Sequence, residues 1–265
     1  MILSHILKIT IFRFPIMTID ADLIHNLIAI DTGTDTLSIA VRRGDGGETR
    51  LWQYTAPGGA NASVVLIPAL QDLMAQAGLQ FCDVSAIAFG AGPGSFTGLR
   101  TACSVAQGLA FAVNVPVLGV DSLLAVAETA RWQRGLTSAF SVTAMLDARM
   151  DEIYTADYFF DGKSFHSTRH QRVILPEHLD GEGDWLAGNV FATYGDGLPL
   201  RFQHTPRETA LPTAAALLRL APALLAGGYS LPAAQALPTY IRDKVAYTTQ
   251  ERIAKAVKPS SRHIQ

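Results

Sequence analysis

Gly90-Ala91-Gly92-Pro93-Gly94-Ser95-Phe96-Thr97-Gly98-Leu99-Arg100 divides two runs of different periodicity. Before it, Val84–Phe89 is short and apolar and reads as a buried strand. After it, Phe96–Val113 carries small and apolar residues at helical spacing. A glycine-rich loop between strand and helix aims helix-start N–H groups at a place where an anion can sit. The loop is no Walker A sequence, because no Gly-Lys-Ser/Thr follows. It is no Rossmann fingerprint either, because the spacing is wrong and Pro93 removes a donor. Nor is it a nucleophile elbow, since Thr97 stands where the last glycine should be. The plainer alternative is that the glycines let the helix lie close on the sheet.

Outward from this loop, the chain alternates strands and helices. Upstream, Leu27–Ile30, Thr36–Arg42 and Glu48–Tyr54 are separated by turns at Gly33 and Gly44-Asp45-Gly46-Gly47, which predicts an antiparallel meander. A helix is expected over Asn61–Ala77, with Pro68 kinking it or marking its first full turn. Downstream, Val117–Val120 reads as a strand and Ser122–Trp132 as a helix. Strands follow at Ser141–Leu146 and Glu152–Tyr158. Gly181–Arg207 is crowded with Gly, Pro and polar residues and reads as sparse in regular structure. A last helix spans Thr213–Leu225, stopped by Gly227-Gly228. The pattern is α/β, a mixed sheet covered by helices.

Composition bounds the function. The 265 residues are 49% hydrophobic and 17% charged, with a net charge of −2. That is ample material for one large domain or two modest ones. A chain that grips RNA alone usually shows a basic surplus, so any nucleic-acid role reads as indirect. Cys82 and Cys103 form no disulfide or zinc pattern and read as reduced, partly buried thiols of a cytoplasmic protein. The opening MILSHILKITIFRFPI is broken by Lys8, Arg13 and Pro15 and is too short to span a bilayer. Residues 1–25 are therefore expected to be a poorly ordered extension, with Met17 a candidate start. No membrane association is expected.

Five stretches together resemble the TsaB (YeaZ-like) family. They are Ile30-Asp31-Thr32, Gly92 to Arg100, Ala106-Gln107-Gly108-Leu109-Ala110, Leu146 to Tyr154 with its Asp147-Ala148-Arg149 core, and Pro238-Thr239-Tyr240-Ile241-Arg242. The resemblance runs from about Asn26 to Ala246. Its motif residues are Asp31, Thr32, Gly92, Pro93, Gly94, Ser95, Phe96, Thr97, Gly98, Arg100, Asp147 and Arg149. It implies an actin-like/Hsp70-like (ASKHA) fold of two lobes, 26–120 and a reduced 121–245, followed by a basic tail at 246–265. It also implies a non-catalytic dimerisation subunit that pairs with a TsaD-like catalytic subunit, joined by a TsaE-like ATPase. That assembly transfers a threonylcarbamoyl group to adenosine 37 of tRNA. ATP/ADP and metal would belong to the partners, the isolated chain would need no cofactor, and tRNA would be met only through the complex.

Residue chemistry bears on the same reading. The positions matching the metal histidines of the catalytic relative are Ser122 and Val126, and Val126 offers no donor atom. Asp147 at the second-lobe hairpin would repel phosphate unless Arg149 neutralises it. His166 and His170 lie in a strand-and-turn segment beside Lys163, Arg169 and Arg172, which disfavours a cation. No catalytic residue and no metal ligand is assigned. In Asn61–Ala77, Leu66, Leu70, Leu73 and Ala77 form one stripe, and Val64, Ile67 and Met74 fall outside it. Those three, with Thr101, Val105 and Gly108 of the next helix, are expected to face a partner, or a second copy when the partner is absent. The competing functions are a free-standing phosphotransferase or metallopeptidase of the same fold, which need a second phosphate loop or the missing histidines, and a generic interaction module.

Overall fold

The computed structural model describes residues 26–45, 48–59 and 62–242. The extension before Asn26, the tail at 246–265 and Asn61 lie outside the described residues. The first sheet has five strands: β1 (Leu27–Asp31), β2 (Thr36–Asp45), β3 (Glu48–Pro57), β4 (Ala86–Gly92) and β5 (Val117–Asp121). Their order is β3-β2-β1-β4-β5, antiparallel through the meander and parallel from β1 to β5. Every residue of β1 and β4 is buried, as expected of central strands covered on both faces.

The second sheet comprises β6 (Phe140–Asp147), β7 (Ile153–Phe160), β8 (Phe165–Ile174), β9 (Trp185–Gly188) and β10 (Arg207–Thr209). Its order, β8-β7-β6-β9-β10, repeats the first sheet strand for strand, with the same meander and the same parallel pairs. The segment read as sparse, Gly181–Arg207, thus contains β9 and leads into β10. Both strands are short and polar-flanked, and each exists through a parallel partner, β9 on β6 and β10 on β9.

Five helices are present among the described residues: α1 (Ala62–Ala77), α2 (Phe96–Val113), α3 (Ser122–Gln133), α4 (Phe191–Tyr194) and α5 (Ala214–Ala226). Between β3 and β5 the first lobe inserts helices of 16 and 18 residues. At the matching places the second lobe has only short pieces: 3-10 turns at Pro176–His178, Gly195–Gly197 and Leu200–Phe202 and the four residues of α4. The outer face of its sheet is covered by Leu179, Leu198 and Phe202 from such turns. This is the physical content of a reduced second lobe in a two-lobed actin-like fold.

α1 and α2 cover one face of the first sheet, packing Leu66, Leu70, Ala102 and Ala106 on Ile28, Ile30 and Ile39. The opposite face is covered by α5, which comes from the second half of the chain. Thr213 caps it by accepting the Ala216 N–H at 3.2 Å, and the Ala214 N–H donates to Ser38 Oγ of β2 at 2.9 Å. α3 packs Leu123, Val126 and Ala130 on β6 and β7 of the second sheet.

Two expectations are corrected. Met74 does not face a partner; it is 3% exposed and belongs to the core under α1. Cys82 is not an apolar-sheltered thiol but is exposed beside Gln80 and Asp83, whereas Cys103 is buried. Pro68 lies inside α1, past its first turn.

Candidate functional site

The fold brings the ends of β1, β4 and β6 to one cleft of about 380 Å³ between the lobes. Gly33, Thr34 and Asp35 of the β1–β2 turn form one wall, and Gly94, Ser95 and Phe96 of the glycine loop form the next. Asp147, Ala148 and Arg149 of the β6–β7 hairpin and Thr239 to Arg242 close it.

The glycines here answer to backbone proximity. A Cβ on Gly98 would lie 1.8 Å from the Thr32 carbonyl oxygen, and one on Gly94 would lie 2.5 Å from that of Gly33. The Thr32 hydroxyl donates to the Gly98 carbonyl at 2.6 Å, and the Ser95 N–H donates to the Gly33 carbonyl at 2.7 Å. Turn and loop are therefore clamped together, with the start of α2 aimed at the cleft. Ser95 makes no side-chain cap, and Thr97 accepts the Thr101 hydroxyl on its carbonyl at 3.0 Å.

Asp31 is fully buried beneath this floor rather than among the residues lining it. One carboxylate oxygen accepts the Gly33 N–H at 3.0 Å; the other has no hydrogen-bond partner among the described residues and lies against Gly90. Burial pushes its pKa up to about 7, against the pull of the Gly33 N–H. Ser122, near the same turn, is also buried, its hydroxyl without a partner among the described residues.

The hairpin carries three successive non-glycine residues in the left-handed region, Arg149, Met150 and Asp151, at φ of 59, 60 and 62°. Each costs of order 1 kcal/mol, so the turn must be held from outside. Asp147 does part of this: its carboxylate accepts the Arg149 N–H at 2.8 Å and the Tyr194 hydroxyl at 3.2 Å, while its own N–H donates to Asn189. Arg149 lies 3.5 Å from Asp147, and its Nη2 also reaches both oxygens of Asp35 across the cleft at 3.0 and 2.8 Å. The Asp35 hydrogen bond and charge raise the guanidinium pKa.

The Thr239–Arg242 segment straps the mouth. The Thr239 N–H donates to Ala91 at 2.6 Å, and Tyr240 stacks on Phe96 with ring centroids 4.7 Å apart. Arg100 sits 3.8 Å over Phe96 and donates to the Tyr240 hydroxyl at 3.0 Å. Arg242 pairs with Glu152 and donates to the Arg149 carbonyl at 3.3 Å. Gly92, at φ 121°, leaves room for the Thr239 carbonyl. His166 lies elsewhere, exposed and paired with Asp161 at 2.9 Å. Among the described residues, no three His, Cys, Asp or Glu side chains gather as a metal set.

A family model described as TsaD, tRNA N6-adenosine threonylcarbamoyltransferase, matches residues 58–263. The tRNA threonylcarbamoyladenosine biosynthesis protein TsaB of Escherichia coli (strain K12) is 33% identical over 242 residues, covering 83% of this chain and 96% of its own. The chain belongs to the TsaB family. The TsaB protein of Haemophilus influenzae is 31% identical, over 83% of this chain and 95% of its own. A solved structure of YeaZ from Pseudomonas aeruginosa superposes with a TM-score of 0.72 at 35% identity, covering 82% of this chain and 99% of that one.

The remaining positions expected to face a partner lie on α1 and α2. Val64 is 73% exposed and Ile67 37%. Thr101 and Val105 are half-buried on α2, and Gly108 is exposed with open space above it. Phe111, 77% exposed, continues that row. Sequence reasoning missed Phe111, although it follows Gly108 by three residues, the spacing that keeps one helix face. It also missed Asn189 and Tyr194. The only signal for Tyr240 and Arg242 was their place in the Pro238–Arg242 motif.

Proposed function

We propose that this chain is the non-catalytic, dimerising subunit of a tRNA threonylcarbamoyladenosine system, acting by holding a TsaD-like catalytic subunit through α1 and α2. The observation that carries the reading is the set of exposed apolar side chains Val64 and Ile67 on α1 and Phe111 on α2, together with the half-buried Val105 and the open backbone of Gly108 on α2. Exposed aliphatic and aromatic side chains flanking a bare backbone suit close helix–helix docking. The family model carries a transferase's description, but relatives matched over nearly their full length carry the TsaB name. The cleft also suits a supporting role. Asp31 lies below its floor, Asp147 is engaged by its own hairpin, and Tyr240 and Phe96 stack at its mouth. These residues do not fit a metal–nucleotide, so ATP, ADP and metal are assigned to the TsaD-like subunit and a TsaE-like ATPase. tRNA is met through the complex, in the cytoplasm, and the same helices support a homodimer when the partner is absent.

The test is reconstitution with a TsaD-like subunit and ATPase, using Val64→Asp and Gly108→Arg. Each puts a charge into the apolar contact, so affinity should fall at least about a hundredfold, since about 1.4 kcal/mol is tenfold. Neither lone variant should melt below the parent, and Gly108→Arg should melt slightly above it, because arginine is the better helix former. Modification of adenosine 37 should fall with complex formation and recover with excess variant. Modification by the chain alone, or its loss while the complex stays intact, would sink the reading.

A further inference from the structure

We propose that the cavity between the β2–β3 hairpin, α3, α5 and the β7–β8 turn is a binding site for a small amphipathic carboxylate, its head on Arg42 and its apolar body against Leu51 and Leu124. The cavity measures about 610 Å³, within the usual range for small-molecule sites. It sits at the far end of the first sheet from the cleft: Arg42 pairs with Leu27 at the start of β1, whereas Asp31 ends that strand at the cleft.

Charge decides the ligand. Arg42, Arg131, Lys163 and Arg219 line the cavity, and Glu128 is its only acidic lining residue. Glu128 is 3% exposed and both its oxygens are taken. Arg131 reaches them at 2.6 and 3.0 Å, and Arg219 Nε at 2.6 Å. Its charge is shared between Arg131 and Arg219, and it makes no hydrogen bond to Arg42. The Nε and Nη1 atoms of Arg42 are shielded and have no hydrogen-bond partner among the described residues, which leaves Nη2 as its donor open to the cavity. A guanidinium in that state pays desolvation without return, and burial lowers its pKa accordingly. A carboxylate oxygen accepting from Nη2 would supply the missing counter-charge through a charge-assisted hydrogen bond. The remaining walls, Leu51, Leu124 and Phe160 among them, offer apolar surface to a hydrocarbon body. The inference does not rest on the role proposed for α1 and α2.

The test is calorimetry of the full chain with octanoate and with octanamide, which keeps the body and removes the charge. Octanoate should bind at one site and octanamide at least tenfold more weakly. Arg42→Met, which keeps the stem, and Leu51→Glu, at an exposed position, should each weaken octanoate at least tenfold with no loss of melting temperature. Equal binding of the two probes, or undiminished binding by Arg42→Met, overturns the assignment. So does absence of octanoate binding, whether the cavity closes or another segment of the chain fills it.

Discussion

Asp31 couples the cleft floor to pH. Its folded pKa of about 7 lies above the unfolded value of 3.8 because burial penalises the carboxylate. A raised carboxyl pKa means the folded state binds the proton more tightly. The benefit is therefore full below the unfolded pKa and is lost as pH rises towards 7, at about 1.4 kcal/mol per unit. Asp31→Asn keeps an acceptor for the Gly33 N–H and carries no charge. It should stabilise the fold by about 1–3 kcal/mol at pH 8, with the gain shrinking towards pH 4. Urea unfolding at the two pH values measures it; an equal gain at both would mean that ionisation of Asp31 costs nothing. The glycines of α2 separate as sharply. Gly98→Ala drives a Cβ to within 1.8 Å of the Thr32 carbonyl oxygen, backbone against helix, and should cost about 1–3 kcal/mol. Gly108→Ala meets nothing within 4 Å and should gain about 0.5–1 kcal/mol from helix propensity. Melting curves of the two variants should move in opposite directions.

At the scale of the element, α1 has one buried arc and one exposed strip. Met74→Asp, inside the arc, should unfold the lone chain, because an unpaired charge would enter a core at a cost of several kcal/mol. Val64→Asp, on the strip, should leave the circular dichroism spectrum and melting temperature unchanged. If Met74→Asp folds normally, α1 is seated differently from what is described. The sequence made Leu66, Leu70, Leu73 and Ala77 legible as core through their spacing, but the buried arc is wider and takes in Ala69 and Met74 as well. A sheet-covering helix buries more than a coiled-coil seam, and Met74 stands four residues after Leu70, one turn along. The bounds of α2, Phe96–Val113, were legible outright, because a glycine loop precedes it and Asn114 in the left-handed region follows. β9 and β10 were not, since strands of four and three residues owe their existence to pairing partners distant in the chain. The same holds in the cleft. The glycine loop and the Asp147 hairpin were readable as motifs, but Arg149 meets Asp35 across a separation of 114 residues, which no local pattern encodes.

Across the whole molecule, the two lobes are not independent in their covering. α5 follows β10 in sequence but seals the face of the first sheet made by Leu27, Ala29, Ala40, Ala88 and Val120. α3 follows β5 but packs on β6 and β7, and Thr129 of α3 meets Thr213 at the head of α5 at 3.3 Å. Each sheet is thus completed by the helix that leaves the other. A fragment of residues 26–120 would keep α1 and α2 yet expose the entire α5 face. Several buried aliphatic side chains, at roughly 1.5–3 kcal/mol each, exceed the whole margin of 5–15 kcal/mol on which a domain of this size stands. That fragment alone should therefore be unfolded or aggregated, without cooperative melting. Mixed with residues 121–242 during refolding, it should regain native circular dichroism and a single transition, because the second fragment brings α5 back. The exposed arginine bridge between Arg149 and Asp35 should matter little to this reassembly, since pairs so open to solvent are worth at most about 1 kcal/mol. Arg149→Ala should accordingly leave complementation intact, whereas Leu217→Asp, in the buried face of α5, should abolish it. Cooperative melting of residues 26–120 alone would refute the argument, for it would mean that the first sheet needs only its own two helices.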